Sequence, residues 1–427
     1  MNIERVDLNL LVYLDVLLRE KNVTRAAEHL GITQPAMSNI LKKLRYAFED
    51  PLLIRSSEGM TPTERARDLQ PRIRGALDGL NQIFESQEDF RPRSSSRVFR
   101  IMAADYAEAT LIMQHGKVIY EAYHEGMPAE NPHIMWSMTK SVVGLLATQL
   151  IHEGRLDAQS LITEHLPELH NSGWKGATVQ QLLDMTADVD YNEVYSDAQS
   201  DVVDYAIAAG MGPAPEGFDG ARDLYSYLPT VSGTGQHGRE FRYRTLHTEV
   251  LGWVLRRVTG LPTAELIGQR LWSKLGAEQD AYLLVDSVGA EWAGAGMNAS
   301  LRDLARFGEM LRLGGHFNGQ QIIAPEVLAN IRQGADREAF KAANRIGQDG
   351  YSYHNQFWIS HNPDGAYEAL GVHGQIIHIN PTVGLVVVRL SSHPVASTGF
   401  TFPHTRPALE ALANLLRAEK ASSQHSE

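Results

Sequence analysis

The stretch "SQEDFRPRSSSR", residues 86–97, divides the sequence. It is polar, carries proline and serine and has no apolar period, so it reads as a linker between folded parts. With 427 residues the chain is long enough for two or three such parts. The two sides differ in charge. Residues 1–110 hold 16 Lys and Arg against 16 Asp and Glu, so the whole net charge of −12 sits on the remainder. An acidic body argues against nucleic acid lying across it, and any such contact must come from the first part. The absence of cysteine excludes disulfides, thiolate chemistry and cysteine-ligated zinc. The opening "MNIERVDLNLLVYLDVLLREK" lacks a signal-peptide cleavage pattern. No apolar run approaches the roughly 20 residues of a membrane helix. A cytoplasmic protein without a membrane partner is expected. The 17 histidines show no His-Glu-x-x-His spacing and no clustering with carboxylates, so no metal and no cofactor are expected.

Residues 7–20, "DLNLLVYLDVLLRE", place apolar side chains at helical spacing. "NVTRAAEHLGITQPAMSNILKKLRYAF" then predicts two helices around a tight turn. Thr24 is expected to cap the first and Gly31 to end it; Thr33 caps the second, with Pro35 in its first turn. "DPLLIRSSEGMTPTERARDL" follows as a short β wing, and a helix from about 62 to 84 closes the segment. This order resembles the winged helix-turn-helix of LysR-type transcriptional regulators over about residues 5–85. The resemblance implies that DNA is a partner and that the second helix of the motif enters the major groove. Thr33, Gln34, Pro35, Ser38 and Asn39 would then lie near base edges and phosphates, and Lys42, Lys43 and Arg55 on phosphates. It also implies a homodimer through the helix at 62–84.

After the linker, "VFRIMAADYA" reads as a strand, and "TLIMQHGKVIYEAYHEG" as a hairpin turning at His115-Gly116. Helices are expected at 134–153, 248–259 and 299–313. Three strands are expected in "YSYHNQFWIS", "GVHGQIIHINP" and "VGLVVVRLSSH", and a last helix from about 407 to 420.

"MWSMTKSVVGLL" puts Ser137 three residues before Lys140 near the first turn of a helix, on one face. A lysine takes a proton only when neutral, a state that burial or a nearby cation favours. The apolar neighbours Ile134, Met135, Trp136, Met138 and Val142 are compatible with that. The helix N-terminus offers N–H groups to a developing oxyanion. A surface lysine beside a capping serine remains an equal reading of this motif alone. A second Ser-x-x-Lys, "SGWK" at 172–175, lies in a loop and reads as solvated surface. Two further elements bear on the choice. Tyr243 stands just before a helix, where it could share proton traffic with the lysine. His373-Gly374-Gln375 opens a strand, where a glycine on a sheet edge would admit substrate and the next N–H could complete an oxyanion hole. Singly, each is open to a packing role.

In this order, from about Thr110 to Ala411, the chain resembles the serine beta-lactamase-related hydrolases. These include class C beta-lactamases, esterases of that fold and 6-aminohexanoate-dimer hydrolases. The resemblance implies that Ser137 is acylated, Lys140 takes its proton, Tyr243 is general base and acid, and the N–H groups of Ser137 and Gln375 bind the oxyanion. A loop tyrosine closing on substrate would be Tyr191 or Tyr195. Two departures matter. Val372 and His373 stand where beta-lactamases carry Lys-Thr, and Thr245 stands where the tyrosine motif continues with Asn. An ester or short linear amide therefore fits better than a penicillin.

The expected architecture is multidomain. An all-α winged helix-turn-helix occupies 1–60, a dimerisation helix 61–85, and a linker with a strand remnant 86–110. An α+β hydrolase follows at 111–420, with an antiparallel sheet flanked by helices and a helical subdomain. One rival is a regulator whose hydrolase-like part only senses ligand. Another is an accidental fusion, in which loss of the usual N-terminal helix leaves one sheet face uncovered.

Overall fold

A computed structural model describes residues 9–56, 59–70, 73, 106–124, 126–195, 197, 199–341, 343, 347–397, 399 and 401–424. The chain forms two compact units, 1–91 and 92–427.

In the first unit, α1 (Asn9–Glu20), α2 (Val23–His29) and α3 (Gln34–Phe48) precede a two-stranded wing, β1 (Leu53–Ser56) with β2 (Gly59–Pro62). Its core joins Leu14, Leu17 and Leu18 to Ala26, Ala27, Met37, Leu41 and Leu44. The cap of α2 is Asn22 rather than Thr24: its Oδ1 accepts the N–H groups of Thr24 at 2.9 Å and Arg25 at 3.1 Å. An amide two residues earlier reaches two orphan donors, and Thr24 becomes a helical residue. Gly31 takes the left-handed conformation after that helix (φ 65°), and Thr33 caps α3 through Ala36 N–H at 3.3 Å. Residues 64–70 are helical. Most of the dimerisation helix expected at 62–84 lies outside the described residues.

The second unit is built on a seven-stranded antiparallel sheet. Its strands are β3 (Ala107–Gln114), β4 (Lys117–Tyr123), β5 (Ser352–His354), β6 (Phe357–Ile359), β7 (Tyr367–Gly371), β8 (Gln375–Asn380) and β9 (Leu385–Ser391). Their order across the sheet is β5-β6-β7-β8-β9-β3-β4. The hairpin turns at His115-Gly116, both left-handed. "YSYHNQFWIS" is two strands, not one, because Asn355 and Gln356 both take positive φ and turn the chain back. β7 falls in the short segment between the expected strands. The sheet starts at Ala107, ahead of the expected residue 111.

Both sheet faces are covered, because successive side chains of a strand point to opposite sides. Leu111, Val386, Val388, Ile377 and Ile379 join the core under α4 (Met138–His152) and α7 (Leu301–Arg312). Ile112, Leu385, Val387 and Ile376 pack on the other side with Leu409, Leu412 and Leu416 of α8 (Phe402–Gln424). The C-terminal helix thus shields a sheet face that the sequence was expected to leave uncovered. That helix begins at Phe402, before the expected 407, and contains Pro407. Between the halves of the sheet lie mostly helical segments, among them α5 (Val202–Ala208) and α6 (Thr245–Thr259).

Candidate active site

α4 starts at Met138, and Ser137 is the residue before it, with helical φ of −65° and ψ of −9°. Its side chain makes no capping hydrogen bond, so the hydroxyl is available for another partner. That partner is Lys140, whose Nζ donates to Ser137 Oγ at 3.0 Å and to the Gly294 carbonyl at 2.6 Å. Lys140 is fully buried and Ser137 nearly so. The reading of a surface lysine beside a capping serine is therefore excluded. Trp136, immediately before the serine, has φ of 47°, a conformation that costs a bulky residue about 1–3 kcal/mol and recurs at functional sites.

The second Ser-x-x-Lys does not behave as expected. Ser172 is buried with its hydroxyl on Leu169 O at 2.8 Å, and Trp174 is fully buried against His247, at 3.2 Å. Only Lys175 faces solvent. The indole drives this loop into the core, so it is not solvated surface. Burial holds His247 neutral by pushing its pKa down to about 3.

Tyr243 lies two residues before α6. Its ring stacks on Trp358, 5.5 Å between centroids at 20°, and meets Tyr353 edge-on at 5.9 Å. Lys140 Nζ stands 5.2 Å from the Tyr243 centroid. The tyrosine is thus set against an aromatic wall to which Phe241 of its own loop contributes, 6.5 Å from its ring. Thr245, two residues on, donates both its N–H and its hydroxyl to Glu193 at 2.6 Å each. Glu193 also accepts the Tyr195 hydroxyl at 2.5 Å. Tyr195 has a half-exposed ring with its hydroxyl turned toward Glu193, where burial and that carboxylate push its pKa well up. Of the two loop tyrosines, only Tyr195 borders solvent. Tyr191 is a core residue whose hydroxyl has no partner among the described residues.

The His373-Gly374-Gln375 segment enters the same place. A Cβ on Gly371 would lie 2.5 Å from Met135 O, so the end of β7 passes directly beside the residues leading to Ser137. The chain then turns through a left-handed His373 (φ 63°) and Gly374 (φ 96°) into β8. His373 places its ring 5.6 Å from Trp136 and pairs Nδ1 with His393 O at 2.7 Å. β8 is an interior strand, not the edge strand expected. The His373-Gly374 pair lies instead in the turn, residues 372–374, that joins β7 to β8. Two side chains fix Gln375. Its own amide spans to Ser391, accepting the N–H at 2.9 Å and donating to the carbonyl. Buried Arg389 donates from Nε to Gly374 O at 3.1 Å, the carbonyl of the peptide that carries the Gln375 N–H. Such a donor polarises the peptide and strengthens its N–H.

Thus Ser137, Lys140 and Tyr243 come together, and the turn that leads into Gln375 passes beside Met135 and Trp136, the residues just before Ser137. Glu193, Glu249, Gly294 and Arg389 carry no motif in the sequence. Among the described residues no group of three or more His, Asp and Glu could hold a metal ion, and no helix is long and apolar enough to cross a membrane.

In the first unit, Thr33, Gln34, Pro35, Ser38, Asn39, Lys42 and Lys43 all lie exposed at the start and along α3. Gln34 donates to Ser38 Oγ at 3.0 Å. The side chain of Arg55 lies outside the described residues.

Comparison with known proteins matches this division. The Beta-lactamase family matches residues 107–402, and the bacterial regulatory helix-turn-helix protein, lysR family, matches residues 8–67. A 6-aminohexanoate-dimer hydrolase of Paenarthrobacter ureafaciens is 37% identical over 296 residues, 68% of this chain and 74% of that protein. The HTH-type transcriptional activator NahR of Pseudomonas putida is 41% identical over 108 residues, 25% of this chain, which spans only 36% of the activator's length. Among solved structures, a Bacillus anthracis protein assigned as a 6-aminohexanoate-dimer hydrolase aligns with a TM-score of 0.68 and 31% identity, covering 75% of this chain and 82% of that one. The chain belongs to the beta-lactamase family of hydrolases, and carries a lysR-family helix-turn-helix at its N-terminus.

Proposed function

We propose that the second unit is a serine hydrolase acting on carboxylic esters or short linear amides through an acyl-enzyme, and that the first unit binds DNA. The observation that carries the first part is the fully buried Lys140, whose Nζ is shared between Ser137 Oγ and Gly294 O. Ser137 Oγ attacks the carbonyl carbon while its proton passes to Lys140 Nζ. The oxyanion forms between the N–H groups of Ser137 and Gln375. Tyr243 delivers a proton to the departing alcohol or amine, and water then attacks the acyl group with the same residues acting in reverse. Val372 at the strand entrance supplies no cation for a penicillin carboxylate, which favours esters and linear amides. Exposed Lys42 and Lys43 in the second half of α3, with exposed Gln34, Ser38 and Asn39 at its start, support the DNA reading.

The helix-turn-helix favours a second reading, a regulator whose hydrolase unit only senses ligand. A fluorophosphonate probe separates the two. Labelling that disappears in Ser137→Ala, together with turnover of p-nitrophenyl esters or a linear dipeptide-like amide, supports the enzyme. Folded wild type that takes no label and turns over neither substrate sinks it.

A further inference from the structure

The carboxylate of Glu249 lies buried behind Lys140 and has no place in the steps above. It sits on α6, one turn after Thr245. Oε1 accepts the Tyr205 hydroxyl at 2.7 Å and the Gly294 N–H at 3.1 Å; Oε2 accepts the Ala293 N–H at 2.9 Å. The carbonyl of the same Gly294 accepts Lys140 Nζ at 2.6 Å. The residue on which the lysine rests is therefore clamped by a carboxylate. The fit is tight: a Cβ on Gly294 would come within 2.8 Å of both Glu249 Oε1 and Thr245 Cγ2. Burial pushes the Glu249 carboxyl up to about 7, against the pull of the hydrogen bond from the Tyr205 hydroxyl.

We infer that Glu249 is a positioning residue for acyl transfer: it fixes the Ala293–Gly294 turn that aims Lys140 Nζ at Ser137 Oγ, and it balances the ammonium formed when Ser137 is deprotonated. In that step the Ser137 O–H bond breaks, the proton goes to the Nζ lone pair, and the Oγ electron pair forms the bond to the acyl carbon. Glu249 is unchanged by it. Among the described residues, Tyr205 on α5 and Tyr243 before α6 are the ionisable groups against this pair, and Tyr225 and Glu291 line the cavity that Glu249 borders. The inference rests on the hydrolase reading of the site.

The test is the rate of fluorophosphonate labelling of the full chain across the neutral pH range. Wild type is expected to label faster as pH rises through about 7, where Glu249 becomes ionised. Glu249→Gln is expected to lose that break and to label about tenfold to a hundredfold more slowly, with the half-saturating probe concentration unchanged, because misplacing a reacting group by about 1 Å costs that much. Tyr205→Phe removes one of the three donors, so it is expected to slow labelling by a smaller factor and to move the break to higher pH. Glu249→Gln that labels within about twofold of wild type, with the break retained, overturns the inference. Should Glu249→Gln fail to fold by circular dichroism, Tyr205→Phe with wild-type rate and an unmoved break overturns it. Wild type that takes no label removes the hydrolase reading and this inference together; labelled wild type with an indifferent Glu249→Gln removes this inference alone.

Discussion

Glu193 holds Thr245 at two points, accepting its backbone N–H and its hydroxyl at 2.6 Å each. The loop that carries Tyr195 is thereby fastened to the start of α6, two residues after Tyr243. Thr245 uses its side chain for this fastening, in the position where related motifs carry an asparagine.

Glu193→Ala releases both donors and the Tyr195 hydroxyl. It is expected to lower kcat/KM for an ester substrate about tenfold or more. It should destabilise the second unit by about 1–3 kcal/mol, the cost of leaving partly buried donors unpaired. Steady-state kinetics and urea unfolding of the variant check both.

Ser137→Ala and Lys140→Ala are expected each to lower kcat by about a thousandfold or more, and the double variant to be no worse than the poorer single one. Residues that act as one unit show this non-additivity. Multiplicative losses in the double variant would contradict the shared Oγ–Nζ contact as the working element.

Two glycines in helices should respond oppositely to one methyl group. A Cβ on Gly144 of α4 would lie 2.5 Å from Gln356 Cβ and 2.6 Å from Asn355 O, whereas one on Gly268 meets nothing within 4 Å. Gly144→Ala is expected to cost about 1–3 kcal/mol by overpacking. Gly268→Ala is expected to be neutral, or to stabilise by up to about 1 kcal/mol through helix propensity. Thermal melts of the two variants decide.

Acid stability should depend on Glu368, fully buried on β7 with His378 at 2.8 Å and Arg406 against it. The Arg406 charge and the His378 hydrogen bond outweigh burial and hold its pKa down at about 2. A depressed carboxylate pKa stabilises the fold above the unfolded value and loses that contribution as pH falls through the folded one. The urea midpoint of wild type should therefore fall between about pH 5 and pH 2, and fall less in Glu368→Gln. Arg406→Met leaves Glu368 without its cation and should cost about 3–5 kcal/mol at neutral pH.

DNA binding by the first unit should weaken with salt. Lys42→Ala and Lys43→Ala should each reduce the slope of log affinity against log salt by about one, uniformly across duplex sequences. Gln34→Ala or Asn39→Ala should change sequence preference with the slope retained. Fluorescence anisotropy on duplexes selected from a random library measures both.

What was legible in the sequence was local. Ser137 and Lys140 meet because three residues make most of a helical turn, and Thr33 caps α3 because a threonine at that offset reaches the third N–H. Glycine marked the turn at His115-Gly116. The clamp of Glu249 on Gly294 and the fastening of Thr245 by Glu193 join residues 45 and 52 positions apart with no period between them. Trp174 was misread for the same reason: its loop composition is that of surface, and only the buried His247, 73 positions away, explains why it turns inward. β7 escaped because its residues are buried on both faces and show no alternation of apolar and polar.

The close approach at Gly144 bears on how such a site is lost. Ser137, Lys140, Ser141 and Gly144 follow helical spacing, with Ser141 donating to Gln356 O at 2.7 Å and Gly144 lying against the same turn. Chance supplies Ser-x-x-Lys readily, as at 172–175, but not the bare backbone one turn further on that lets α4 seat against the sheet. Mutational drift that enlarges residue 144 would silence the chemistry while sparing both reacting groups. A descendant of this fold could thus keep a complete-looking motif and an intact ligand cleft, yet survive in the lineage as a binding protein.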